Sequence, residues 1–202
     1  TKTIFNNGNE YSYINNAITE ISTINGEQLR KIEALKNSIK TNVLKNLLIL
    51  GVYTEKEEQE VKNYYDNFDN FCVVKVNYRV DGENIVEDIS LQEYVTLEIV
   101  NTFKSIVEGE FGTLNVFSNK LIFVVFFDNG DHENIDILKN GLTNLVRTVN
   151  KDLQIPIIIN IGISETMQGM KNAKNAYQQA KHAVSINENY VSSGVHVYNT
   201  IT

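Results

Sequence analysis

Between Glu10 and Leu50 there is no proline, and apolar residues recur at steps of three and four. Ile14, Ile18, Ile21, Ile32, Leu35 and Ile39 keep this rhythm, with Asn25, Gln28 and Asn42 at the remaining seam positions. That spacing predicts a long helix with a coiled-coil register interrupted by polar residues. Asn25 shares its heptad position with Ile18, Ile32 and Ile39, where a buried Asn selects a parallel two-stranded arrangement at some cost in stability. The same stripe would also serve as the inner face of a helix packed on its own domain. A helix of about 60 Å, at roughly 1.5 Å per residue, overshoots a small domain and so favours pairing between two chains. Asn25-Gly26 is a point where the helix could break. Leu47-Leu48-Ile49-Leu50 then meets Gly51, a residue suited to a C-cap.

Thr54 to Asn67 reads as a second helix, with Thr54 as N-cap, Glu57 three residues on, then Val61, Tyr64 and Tyr65. Beyond it the pattern alternates between periods of two and of three to four. Phe71 to Tyr78 reads as a strand, bounded by Asp69-Asn70 and Asp81-Gly82. Ser90 opens a helix to about Glu108, with Tyr94, Leu97, Val100 and Ile106 as its expected inner face. Thr113 to Phe117 and Lys120 to Phe127 form a hairpin across Ser118-Asn119. Asp131 to about Lys151 is helical, and Ile155 to Ile163 is apolar enough for a central strand. Gly169 to Asn187 is a further helix and Val195 to Tyr198 a short last strand. The chain thus divides into a helix over 1–51 and a mixed domain over 52–202.

Composition narrows the function classes. The 202 residues are 42% hydrophobic and 21% charged, a globular balance. A net charge of −7 argues against this chain gripping nucleic acid by itself, since backbone binding requires a basic face. The single cysteine, Cys72, cannot form an internal disulfide, which points to a reducing compartment. No apolar run approaches the roughly 18–20 residues that span a bilayer. A start at Thr1 without a signal-like stretch reads as part of a longer protein.

Candidate chemistry is sparse. Gly162-Ile163-Ser164 is half of a nucleophile elbow, but Thr166 stands where the elbow requires glycine, and a strand end is the plainer reading. Asp128, Asp131, His132, Glu133 and Asp136 form an acidic cluster that suits a helix N-terminus and lacks calcium-loop spacing. His182 and His196 have no carboxylate or cysteine at ligand spacing, and Cys72 lies in an apolar strand as a small core residue. Neither a phosphate-binding glycine loop nor a basic aromatic patch occurs. The residues call for no cofactor and no metal.

The order strand, helix, hairpin, helix, strand, helix, strand is that of nucleotidyl-cyclase-like domains. Ile159-Asn160-Ile161-Gly162-Ile163-Ser164, then Gly169, then Ala176-Tyr177-Gln178-Gln179-Ala180-Lys181-His182-Ala183 resembles the strand–helix ending of GGDEF (diguanylate cyclase) domains. It resembles more closely the degenerate GGDEF-like domain in the middle of large AraC-type transcription regulators. Asn9-Glu10-Tyr11-Ser12-Tyr13-Ile14 and Leu47-Leu48-Ile49-Leu50-Gly51 resemble the segment after the last membrane helix in membrane-anchored members. The resemblance implies an α+β fold, a ferredoxin-like mixed sheet flanked by helices and preceded by a long helix.

It also implies which chemistry has gone. In that family a Gly-Gly-Asp-Glu-Phe hairpin positions substrate and supplies a metal carboxylate; the matching turn here is Ser118-Asn119-Lys120-Leu121-Ile122. Active members carry a metal-binding Asp on the first strand, where this chain has Lys75, Val76 and Asn77. The family's product-inhibition Arg and Asp fall on Gly109 and Gly112. Divalent metals take oxygen ligands, so the resemblance implies no cyclase activity. What it leaves is a non-enzymatic transmission and dimerisation module, the cytoplasmic segment of a membrane-anchored bacterial regulator, homodimeric through its N-terminal helix. DNA and membrane would be reached only through segments outside this chain. The competing expectation is a regulatory domain that binds a nucleotide or other small molecule in the old pocket.

Overall fold

The computed structural model describes residues 7–51, 54–63, 70–80, 89–107, 111–117, 119–127, 132–153, 155–186 and 192–198. Two compact units emerge, Thr1–Lys40 and Thr41–Thr202. Helix α1 (Asn7–Lys45) supplies the described part of the first unit. It is continuous through Asn25-Gly26, because one interior glycine costs only about 0.5–1 kcal/mol against the cooperativity of a long helix.

Residues 41–51 belong to the globular unit, not to the helical one to which the sequence pattern assigned them. Val43, Leu44, Leu47 and Leu48 are buried there, and the last turn, Asn46–Leu50, widens to π-helical hydrogen bonding. Gly51 closes it at φ 68°, its N–H donating to the Asn46 carbonyl, as an αL cap requires. Helix α2 (Glu55–Lys62) is shorter than expected and buries Val61; Tyr64 and Tyr65 lie outside the described residues.

Among the described residues six strands form one sheet: β1 (Asn70–Val80), β2 (Phe111–Phe117), β3 (Lys120–Phe127), β4 (Ile157–Ile163), β5 (Met167–Gln168) and β6 (Gly194–Val197). The spatial order is β2-β3-β1-β4-β6, with β5 beside the start of β1. All pairs are antiparallel except β4–β6. In register, Val74 of β1 stands opposite Phe123 on one side and Ile163 on the other. The alternation of β1 separates two cores. Cys72, Val74, Val76 and Tyr78 face helices α3 (Ile89–Ile106) and α4 (His132–Leu153). Phe71 and Val73 face α5 (Ala173–Ser185) and the Leu47-Leu48 turn. Covered on both faces, β4 is buried along its whole length, which is why it reads as an unbroken apolar run.

The inner face of α3 differs from the expected one. Val95, Ile99 and Phe103 are buried, whereas Tyr94 and Leu97 are exposed. Val100 and Ile106 of the expected face do pack against that core, and Leu91 and Ile106 extend the buried stripe at its two ends. Phe103 stacks on Phe123 at 3.8 Å and meets Phe111 edge-on at 5.4 Å, locking α3 to the hairpin. Before α5 the chain makes a 3₁₀ turn, Met170–Asn172, so the helix expected from Gly169 begins at Ala173. The architecture is α+β, a mixed sheet flanked by helices with a long N-terminal helix.

Candidate functional site

The hairpin β2–β3 brings the signature-matching turn beside the far end of β1. Asn119 accepts the Tyr78 N–H through its carbonyl at 3.1 Å. Lys120 is exposed and pairs across the ladder with Asn77. The next two positions turn inward: Leu121 packs with the α3–α4 core, and Ile122 with the α5 core. Both are buried and present no polar atom. Ser118 lies outside the described residues.

On β1, Val76 is core, and Lys75 is only 7% exposed, its ammonium donating to Asn77 Oδ1 at 2.8 Å. Asn160 of β4 stands opposite Asn77 and is also buried. The polar row at this end of the sheet is therefore ammonium and amide, Lys75, Asn77, Lys120 and Asn160, with no carboxylate on the described strand positions around it. Hard divalent cations prefer carboxylate oxygens, and an ammonium in their place repels them. Gly112, one of the two inhibition-site positions, is a buried strand residue opposite Val124; Gly109 lies outside the described residues.

On the other face, Tyr78 ties β1 to α3. Its hydroxyl donates to the Gln92 carbonyl at 2.8 Å and shares a 2.8 Å hydrogen bond with Thr96 Oγ1. Burial pushes the Tyr78 phenol above its ordinary range, and the Thr96 bond offsets part of this. Next to this link a shallow groove of about 470 Å³ is lined by Ile89, Glu93, Thr96, Leu97, Val100 and Asn115. Its lining is mostly apolar, with one carboxylate and two hydrogen-bonding side chains.

The other candidates disperse. Ser164 is fully buried; its Oγ accepts the Val73 N–H at 2.9 Å and donates to the Glu165 carbonyl at 2.8 Å, so it extends the β1–β4 ladder and is no nucleophile. Cys72 is core, and burial raises its thiol pKa far above the usual range. His182 is exposed on α5 and meets Tyr198 edge-on at 5.8 Å, while His196 sits opposite Gly162. Asp128 and Asp131 lie outside the described residues; α4 begins at His132, and Asp136 is exposed.

The seam on α1 is the second candidate site. Leu29, Ile32, Leu35 and Ile39 are 45–65% exposed, and Gln28 is exposed beside them. Ile14, Ile18, Ile21 and Asn25 lie on the same helix at their heptad positions, with their side chains outside the described ones. No helix among the described residues is long and apolar enough to cross a membrane.

No family model matches the sequence, and no curated protein matches it. Solved structures that it resembles include GGDEF domains. One, the coiled coil and GGDEF domain of DgcB from Caulobacter crescentus in complex with c-di-GMP, aligns over 90% of this chain and 98% of its own at 9% identity, TM-score 0.49. A microbial GGDEF domain described in a novel interaction mode with cyclic di-GMP aligns over 79% and 86% at 10% identity, TM-score 0.48. The active GGEEF domain of a diguanylate cyclase from Vibrio cholerae aligns over 65% and 84% at 9% identity, TM-score 0.44.

Two residues carry weight that the sequence did not announce. Gln179 caps the strand end, accepting the Glu165 N–H at 3.1 Å and donating to Glu165 Oε2 at 3.2 Å. Its place within the Tyr177-to-Ala183 stretch was visible, but only the fold brings it against residue 165. Leu29 lies off the a/d seam and is as exposed as the seam residues. An apolar residue beside two polar seam positions was the available signal.

Proposed function

We propose that this chain is a non-enzymatic signal-transmission and dimerisation module, the cytoplasmic coupling segment of an AraC-type transcription regulator anchored in the membrane. One observation carries the non-enzymatic part: Lys120 stands at the hairpin tip and Leu121 and Ile122 are buried in opposite cores, where a cyclase requires carboxylates facing substrate. Lys75 and Asn77 on β1 add an ammonium and an amide where a metal carboxylate would stand. The regulator context rests on the strand–helix ending 159–183 and on the segments 9–14 and 47–51. In this reading two chains pair along α1, and a change in that pairing alters the spacing of DNA-reading units attached elsewhere.

The test is direct. Purified protein incubated with GTP and magnesium or manganese forms no cyclic dinucleotide. Turnover that is abolished by substitution at Asn119 or Lys120 overturns the reading.

The groove beside α3 favours a second reading, a regulatory domain that binds a small molecule without converting it. A ligand of the native state raises the melting temperature, and the rise continues with the logarithm of its concentration above the dissociation constant. Stabilisation by a nucleotide or metabolite, lost in Thr96→Val or Leu97→Asp, selects this reading over the first.

A further inference from the structure

The seam's flanks specify more than its core does. With Ile18, Asn25, Ile32 and Ile39 at position a, position g holds Ile24 and Lys31, and position e holds Leu29 and Lys36. In a parallel, in-register pair each g residue faces the partner's e residue of the following heptad. Leu29 then faces the partner's preceding g position, and Lys31 meets the partner's Lys36. The first contact accounts for an exposed leucine that no a/d position explains. It falls on the layer where Asn25 and Gln28 leave the seam core polar, and there it restores apolar contact from the side. The second contact opposes like charges on both edges of the pair, one heptad further on. Glu27 and Glu33 lie at positions c and b, one turn before Lys31 and Lys36 on their own helix, and do not reach across the seam.

We propose that α1 pairs with a second copy of this chain in parallel register, flanked by Leu29 and restrained by Lys31 against the partner's Lys36. The inference rests on the dimeric reading above and adds an electrostatic restraint to it. The pair is thereby held near the edge of association, and its strength follows the charge around residues 31–36. Neutralising or reversing that charge drives the two copies together.

The experiment is a charge cycle on the 202-residue chain, read as dimer dissociation constant by sedimentation at low and high salt. Lys36→Glu and Lys31→Glu each convert two repulsions to attractions and tighten the dimer roughly tenfold at low salt. The double variant places Glu against Glu and returns to the weakness of the parent. Residues 31 and 36 are not neighbours within one helix, so this coupling is intermolecular. The tightening shrinks at high salt as the charges are screened. Leu29→Gln weakens the dimer several-fold at either salt. Single charge variants that do not tighten, a double variant as tight as the singles, or an unaffected Leu29→Gln each overturn the proposal. Ile32→Asp with Ile39→Asp separates it from the underlying reading. Loss of a dimer that shows no charge coupling leaves pairing standing and removes only the restraint. A chain monomeric in the parent and in every variant removes both.

Discussion

Replacing Gly162 with alanine tests how α5 sits on the sheet. Gly162 lies in the buried strand β4, between Lys75 of β1 and His196 of β6. A Cβ there would stand 2.2 Å from the Ala180 carbonyl oxygen, 2.5 Å from the Val184 nitrogen and 3.1 Å from the Ala183 carbonyl carbon. All three atoms are helix backbone, so no side-chain rotation relieves the clash. To reach the 3.4 Å at which ordinary contact begins, α5 has to retreat by about 1.2 Å, a gap that forfeits up to half of the dispersion energy between facing atoms. Ala176, Ala180 and Ala183, all buried, would lose their fit together. Overpacking of a core costs about 1–3 kcal/mol, and a clash against backbone belongs at the top of that range, about 3 kcal/mol. In a domain of this size that is roughly 6–12 °C in melting temperature. The chain has no tryptophan, so the assay is thermal melting by near-ultraviolet circular dichroism of the buried tyrosines and phenylalanines, with a urea titration beside it. Two other glycines serve as internal controls. Gly141→Ala meets side-chain and not backbone atoms, the Cγ2 and Cβ of Ile106, and costs less; Gly26→Ala meets nothing within 4 Å and adds helix propensity. A Gly162→Ala protein that melts within about 1 kcal/mol of the parent refutes the close approach of α5 to β4.

Three further outcomes are expected. Ser164→Ala leaves the buried Val73 N–H without its side-chain acceptor and costs about 1–3 kcal/mol, read as a lower urea midpoint with unchanged slope; a neutral effect would show that the hydroxyl is dispensable to the ladder. Cys72 stays unreactive toward a thiol reagent in the native state at pH 8 and reacts at once in urea, because its thiol is wholly buried; fast native labelling would contradict that placement. Burial raises the folded-state pKa of Cys72, Tyr78 and Tyr177, so the unfolded chain ionises first. Their contribution to stability is complete below the unfolded value of 9.0 for Cys72 and declines as pH rises beyond it, then beyond 10.0 for the tyrosines. Denaturation midpoints that hold constant from pH 8 to 11 would disprove this.

Where a residue's neighbours along the chain determine its role, the pattern was enough. The Leu47-to-Gly51 helix end, the hairpin across residues 118–119 and the β4 run could each be read locally, since period, turn chemistry and capping act over a few residues. The α3 face could not. Two stripes shared the same spacing, and Phe123, a strand away, helps to fix the one that turns inward. The boundary at Lys40 was hidden because Val43 and Leu44 continue the helical rhythm of Ile39 while burying themselves in another core. Gly162 was visible within a family-like motif, but the reason for it lies in α5 backbone atoms some twenty residues later. The candidate site divides the same way. The identities at 118–122 announced the missing carboxylates, whereas the Lys75–Asn77 bond and the inward turn of Leu121 and Ile122 depend on ladder registers that no local pattern sets.

The position of β1 at the centre of the sheet bears on how the chain is made. Its first edge is taken by β3, which ends at Phe127; its second waits for β4, which ends at Ile163. At ribosomal rates of roughly 5–20 residues per second, the interval between those two points lasts about 2–7 s. Throughout it, a nascent half-sheet of β1, β2 and β3 presents the open N–H and carbonyl groups of Val73, Lys75, Asn77 and Arg79, an adhesive edge for any passing chain. Lys75 and Arg79, two of the residues on that edge, carry charges of the kind that discourage such pairing. The newborn domain is most exposed to aggregation in those seconds, before its fourth strand arrives.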